Sequence, residues 1–137
     1  MIRVAIAGGF DPFHEGHYDH LIKASKLGDY LIVLVSNDAD MIRKKGKCNI
    51  PIWFRIFTIE AIMLKGGIQG EVIETFDEDG TQAETLRIVR PDIFAKGGDR
   101  TPDNMPLEEI RVCEQIGCRI AYGVGDKGNS SSGMEIV

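Results

Sequence analysis

The residues Tyr30–Val35, YLIVLV, form an unbroken apolar run. That run constrains the fold more than any other stretch. A strand that is apolar at every position has to be covered on both faces, and a sheet with helices on either side provides that cover. Other strand-like stretches are Ile2–Ala7, punctuated only by Arg3, and the shorter Glu71–Phe76, Asp92–Ala95 and Arg119–Tyr122. Helical patterns separate them. His17–Leu27 stops at Gly28, Ile52–Leu64 follows Pro51, and Thr81–Val89 opens with Thr81 and Glu84 at capping-box spacing. Leu107–Ile116 carries Leu107, Ile110, Cys113 and Ile116 on one face and stops at Gly117. This alternation predicts βαβ units, and hence an α/β fold with a doubly wound, five-stranded parallel sheet and helices on both faces. With 137 residues, no repeat and no long Pro/Gly/Ser linker, the chain reads as one domain over 1–137. Ligands of such sheets sit beyond the carboxyl ends of the strands, where strand order reverses, so chemistry is expected in the loops after the strands.

Charge and composition exclude several classes. Sixteen Lys and Arg against 21 Asp and Glu give a net charge of −5, the wrong sign for a nucleic-acid-binding surface, although a small anionic ligand needs only a few local cations. No apolar run reaches the ~18–20 residues of a membrane span. The opening MIRVAIAGGF enters a strand directly and lacks the regions of a signal peptide, so the expected address is the cytoplasm. Cys48, Cys113 and Cys118 are odd in number and form no C-x-x-C pair, which predicts free thiols.

Three loops are candidates for one phosphate site. The first, Gly8-Gly9-Phe10-Asp11-Pro12-Phe13-His14-Glu15-Gly16-His17, leaves strand one and enters the first helix. Its glycines permit close backbone approach, and the N–H groups at the helix start favour an anion. His14 and His17 are able to aim two imidazole N–H donors at that anion, with Gly16 leaving room. A metal reading competes, because His14, His17 and His20 recur at every third position beside Asp11, Glu15 and Asp19; H-E-G-H, however, lacks the i, i+4 spacing of H-E-x-x-H. The second loop, Arg43-Lys44-Lys45-Gly46-Lys47, is expected to come after a short turn at Ser36–Asp40 and to clamp a polyphosphate through Lys45 or Lys44. Arg55 adds a fork-shaped donor from the next helix. The third, Lys96-Gly97-Gly98-Asp99-Arg100, suits close approach again, with Asp99 available to a metal ion or a ribose hydroxyl. The later segment Lys127–Ser132, KGNSSS, supplies a cation and three hydroxyls as another phosphate cradle. No P-loop or G-x-S-x-G elbow is present, and no G-x-G-x-x-G fingerprint follows strand one, where Gly8-Gly9 has the wrong spacing.

The stretch GGFDPFHEGH resembles the (T/G)-x-F-D-x-x-H-x-G-H signature of the HxGH nucleotidylyltransferase superfamily, and the resemblance covers nearly the whole chain. RPDIFAKGGDRTP at Arg90–Pro102 is similar to the nucleotidylyltransferase domain of ADP-heptose synthases. LGDYLIVLVSNDAD with RKKGK shortly after it resembles that domain and the glycerol-3-phosphate cytidylyltransferases. The resemblance implies a Rossmann-like fold and Mg²⁺-dependent transfer of a nucleotidyl group, AMP in preference to CMP, from NTP to a small phosphorylated acceptor such as heptose 1-phosphate. It implies that His14 and His17 contact the triphosphate, that Asp11 lies near the phosphates or the Mg²⁺, and that Lys45 reaches the α-phosphate. Gly97, Gly98 and Asp99 would face nucleotide or acceptor, and Ser130, Ser131 and Ser132 match a Ser-Thr-Thr element that opens a helix over the phosphates. The chain departs from the pattern in reading Ser-Ser-Ser there and in having only a short segment after Ser132. It also has Gly125-Asp126-Lys127-Gly128 where some cytidylyltransferases have RTEG; Lys127 takes the place of the Arg. The kinase half of bifunctional ADP-heptose synthases is absent, so a stand-alone transferase is expected. Glycerol-3-phosphate cytidylyltransferase-like or FAD-synthetase-like activity, or a non-catalytic nucleotide sensor, are the alternatives.

The helix after Pro51, IWFRIFTIEAIML, is apolar nearly all round, which predicts a homodimer face that includes Trp53 or Phe54.

Overall fold

Strand β2 (Tyr30–Val35) is buried at every position after the first in the computed structural model, which describes residues 1–125. Leu31, Val33 and Val35 pack on one side of the sheet with Leu21 and Ala24 of α1 (Glu15–Ser25) and Ile59 and Met63 of α3 (Ile52–Gly66). Ile32 and Leu34 pack on the other with Leu86 of α4 (Ala83–Val89) and Val112 and Cys113 of α5 (Leu107–Ile116). Each such side chain contributes ~1.5–3 kcal/mol by leaving water. The sheet is completed by β1 (Arg3–Gly8), β3 (Gly70–Glu74), β4 (Ile93–Ala95) and β5 (Arg119–Ala121). Its order is β3-β2-β1-β4-β5 and every pairing is parallel. The chain winds outward from β1 to β3, then returns to place β4 against β1. The expected α/β sheet is therefore present, and its order reverses between β1 and β4, where a crevice opens at the carboxyl ends.

Local boundaries differ from expectation where side chains intervene. Helix α1 starts at Glu15, two residues before the predicted His17, because the His14 side chain caps it. Helix α4 begins after Gln82 and does not use a Thr81–Glu84 box. The Asp77 carboxylate accepts from the N–H groups of Glu84 at 2.8 Å and Thr85 at 2.9 Å, while Thr81 Oγ1 donates to Asp79 Oδ1. The largest correction lies between β2 and α3. The basic stretch is not a loop but the last turn of α2 (Asp38–Lys45). Asn37 caps this helix by accepting the Asp40 N–H at 2.8 Å, acids occupy its first turn, and Arg43, Lys44 and Lys45 stand at the negative end of its dipole. Gly46, at φ 81°, closes it in the left-handed region that glycine tolerates.

Arg55 also has a different place from the expected one. It is 2% exposed and is committed to the protein rather than open to an acceptor. Its Nε donates to Ile50 O at 2.7 Å, Nη1 to Gly9 O at 2.8 Å and Ser36 O at 2.7 Å, and Nη2 to Asp38 Oδ1 at 2.6 Å. One guanidinium thus ties the loops after β1 and β2 to the starts of α2 and α3. Lysine lacks the fork needed to reach these acceptors together. Arg55→Met is expected to lower unfolding free energy by about 3 kcal/mol, because it orphans buried carbonyls and half of an ion pair. Urea denaturation checks this, and Arg55→Lys should recover only part of the loss.

Candidate active site

The loop after β1 explains why histidines stand where helix caps are usually Ser, Thr or Glu. His14 Nδ1 accepts the Gly16 N–H at 3.1 Å, and His17 Nδ1 accepts the His14 N–H at 3.2 Å. The pair forms a reciprocal cap for the first turn of α1. A ring nitrogen that accepts carries no proton, so each imidazole keeps its single N–H at Nε2. The rings stack with centroids 3.8 Å apart and planes 19° from parallel. Gly16 suits this arrangement: a Cβ there would stand a tight 3.0 Å from His14 Cε1 and 3.2 Å from Nδ1, and the ring would have to shift.

His17 is enclosed by aromatic rings, with Phe10 at 4.9 Å edge-on and Phe13 at 5.6 Å. Phe10 is itself buried and has φ 50°, a conformation costly for a bulky residue and fixed here by its packing. Burial, reinforced by His14 and His20, lowers the His17 pKa from 6.5 to about 4. His17 is therefore a neutral donor at pH 7.

Gly9, Phe10, Asp11, Pro12, His14, His17, Met41 and Lys45 line one cavity of about 270 Å³. The structure thus brings together the expected His14, His17, Lys45, Gly9, Phe10 and Asp11. Met41 was not anticipated. It stands four residues before Lys45 on the same face of α2, and the Asn37 cap, acidic first turn and Gly46 were the sequence signs of that helix. Asp11 anchors the loop from within: its oxygens accept the N–H groups of Asn49 at 2.8 Å and Ile50 at 2.7 Å.

The remaining candidates are distributed differently. Gly8 ends β1, and its carbonyl accepts the Ser36 N–H at 2.9 Å. Lys44 turns away from its neighbour Lys45; its Nζ donates to Ser36 Oγ at 3.1 Å and pairs with Asp40 Oδ2 at 3.3 Å. Lys96 lies 4.6 Å over the Phe94 ring, and burial pushes its pKa down against the pull of Glu109. Gly97 packs beside α1, where an added Cβ would meet the His20 ring at 3.7 Å. Gly98 and Asp99 are exposed, and the Asp99 carbonyl accepts from Asn104 Nδ2. Lys127, Ser130, Ser131 and Ser132 lie outside the described residues.

The metal reading of the histidines finds no support in the geometry. His20 Nδ1–H donates to Val124 O at 2.5 Å, and among the described residues no group of three or more His, Cys, Asp or Glu could hold a metal ion. The three cysteines are free thiols, as expected. No helix among the described residues is long and apolar enough to cross a membrane.

The depressed His17 pKa fixes the sign of a pH effect. Between about 4 and 6.5 the unfolded chain binds a proton that folded His17 refuses, so this group's contribution is intact above pH 6.5 and is lost as pH falls through that window. Denaturation at stepped pH should show the decline. His17→Gln, which keeps an acceptor for the His14 N–H, should show a shallower one.

Comparison with known proteins identifies the family of the chain. The cytidylyltransferase-like family model matches residues 5–132. The chain is 41% identical over 98 residues to the bifunctional protein HldE of Nitrosococcus oceani, covering 72% of this chain and 20% of that protein. It is 35% identical over 113 residues to HldE of Desulfatibacillum aliphaticivorans, covering 82% and 22%. The chain therefore spans about a fifth of the length of these relatives. A crystal structure of the lipopolysaccharide core biosynthesis protein of Thermoplasma volcanium superposes with TM-score 0.73 at 28% identity, covering 91% of this chain and 98% of that one. The bifunctional NMN adenylyltransferase/ADP ribose pyrophosphatase of Francisella tularensis shares the fold, with TM-score 0.64 at 17% identity, over 95% and 40% of the two chains. With its two capping imidazoles and Lys45 on one cavity, the chain belongs to the cytidylyltransferase-like family and is a nucleotidyltransferase.

Proposed function

We propose that the chain transfers an adenylyl group from ATP to a small phosphorylated acceptor of the sugar-phosphate kind, heptose 1-phosphate foremost, and releases pyrophosphate. The observation that carries this reading is the convergence of His14, His17 and Lys45 on one cavity at the carboxyl edge of the sheet. The similarity to HldE proteins and to a lipopolysaccharide core biosynthesis protein supports a carbohydrate acceptor. The KGGD stretch at Lys96–Asp99 favours ATP, while the family's cytidylyltransferase-like character makes CTP the second reading.

In this mechanism an oxygen of the acceptor phosphate attacks the α-phosphorus in line. The new P–O bond forms as the bond from the α-phosphorus to the bridging oxygen of the β-phosphate breaks, and pyrophosphate leaves with the electron pair. An acceptor phosphate is already anionic at pH 7, so no general base is needed. The protein supplies alignment of two anions that repel each other and donors for the departing charge. The Nε2–H groups of His14 and His17 and the Lys45 ammonium provide those donors. Among the described residues Asp11 is the one carboxylate on the cavity, and its oxygens already bind backbone N–H groups, so these residues do not form a magnesium cage. Mg²⁺ enters this reading as part of the substrate, carried by the triphosphate.

His14→Ala is expected to lower kcat at least ~100-fold, the scale of one lost transition-state donor. Its effect on melting should be small, that of a lost helix cap. Pyrophosphate release with each of the four NTPs and a panel of sugar phosphates measures this, and a fall below about threefold removes His14 from catalysis. Release by no NTP with any acceptor would favour the nucleotide-sensor alternative.

The outer face of α3 supports a homodimer in the same reading. Trp53, Phe57 and Leu64 are 67%, 57% and 84% exposed, and Phe54 stacks on Phe57 at 5.9 Å. Sedimentation at micromolar concentration is expected to give twice the mass of the chain, and Trp53→Glu to give the monomer. A wild-type monomer excludes this face as the contact.

A further inference from the structure

On the α4–α5 side of the crevice lies a polar cluster that the transfer step leaves unused. Ser36 comes directly after β2, Lys96 directly after β4, Gln82 directly precedes α4, and Glu109 stands in the first turn of α5. Gln82 and Glu109 are 5% and 4% exposed. Half of each side chain is accounted for. Glu109 Oε2 accepts the Gln82 backbone N–H at 2.9 Å, and Gln82 Nε2 donates to Ser36 Oγ at 3.4 Å. The other half is not. Gln82 Oε1 and Glu109 Oε1 are buried with no donor among the described residues. Asp40 Oδ2, also without a hydrogen bond, has the Lys44 ammonium 3.3 Å away. A buried orphan acceptor destabilises the fold, and more so when it is charged.

Two connections link this cluster to the imidazole cavity. Lys44 and Lys45 are consecutive on the last turn of α2; Lys45 lines the cavity while Lys44 Nζ reaches Ser36 Oγ. The Ser36 N–H donates to Gly8 O, directly before the loop that carries Gly9 and His14. An acceptor attacking the α-phosphorus must lie beside the triphosphate, and Lys44, which reaches this cluster, is the chain neighbour of the cavity-lining Lys45.

The chemistry of the cluster selects its occupant. Two acceptor oxygens in a cluster where the Lys96 amine interacts with Glu109 complement neighbouring hydroxyl groups, which donate to the oxygens and accept from the amine. A second anion would meet Glu109, a cation would meet Lys96 and Lys44, and an apolar group would leave both oxygens orphaned. We propose that Gln82 Oε1 and Glu109 Oε1 form a hydroxyl-reading subsite for a phosphorylated polyol acceptor, whose phosphate Lys44 directs toward the imidazole cavity. This rests on the transfer reading above and names the residues that choose its acceptor class.

The test is calorimetric titration of the full chain, loaded with a non-hydrolysable ATP analogue and Mg²⁺, using mannose 1-phosphate and ethyl phosphate as probes. The wild type is expected to bind the polyol phosphate about tenfold tighter or better. Glu109→Gln keeps an oxygen for the Gln82 N–H but puts an NH₂ group where the free oxygen stood. Gln82→Met removes its oxygen at similar volume. Both should bring the preference within about threefold while leaving ethyl phosphate affinity unchanged. If Gln82→Met fails to fold, Glu109→Gln decides alone. A preference that survives Glu109→Gln overturns the subsite; a wild type without preference also does so and leaves the two oxygens to buried water only. Pyrophosphate release by the wild type, measured in parallel, separates the two proposals. Release with the preference unchanged in the variants overturns the subsite alone. Lost preference without release from any NTP upholds the subsite and overturns transfer.

Discussion

Two backbone N–H groups at the start of α1 hold the chemistry of this protein in place. Both are among the orphan donors that every helix start must satisfy, and here the acceptors are imidazole nitrogens. That choice fixes three things together. It sets the orientation of both rings, it assigns the remaining ring proton to Nε2, and it favours glycine between the histidines because a Cβ at Gly16 would press on the His14 ring. A Ser or Glu cap would stabilise the same helix and leave no N–H for an anion. Each imidazole caps the helix at Nδ1 and keeps its N–H at Nε2.

The frame around that cap is assembled by buried polar groups rather than by apolar packing alone. Arg55 gathers the carbonyls of Gly9, Ser36 and Ile50, and Asp11 holds the chain at Asn49 and Ile50. These contacts join loops from the carboxyl ends of β1 and β2 to the stretch before α3. A crevice in a doubly wound sheet is only as well formed as the loops at its rim, and charged hydrogen bonds set those loops with directional contacts. The same logic extends to α2, whose last turn sends Lys45 to one wall and Lys44 to the other.

Much of this is legible in the chain itself. YLIVLV predicts a strand covered on both faces, and the alternation of strands and helices predicts the parallel sheet, because burial and period are local properties of sequence. Gly8–His17 announces an anion site through its glycines and histidines. Helix α2 reads instead as a basic loop, since charge density masks the Asn37 cap and the closing Gly46. The Thr81–Glu84 box fails because Asp77, from outside the predicted helix, reaches its N–H groups first. Arg55 reads as a ligand donor because exposure is not encoded in residue type.

The sequence by itself determined the class of fold, the loop at the rim of the sheet that carries the imidazoles and the residue types that line its cavity. These come from periodicity, from the conformational freedom of glycine and from the donors that side chains carry. Tertiary structure decided which nitrogen of each histidine caps the helix, which lysine lines the cavity, and that Arg55 is structural. It also left one oxygen each of Gln82 and Glu109 without a donor. Those outcomes depend on contacts between residues far apart in the chain, such as Gly9 with Arg55 and Gln82 with Glu109, and no local pattern carries that information.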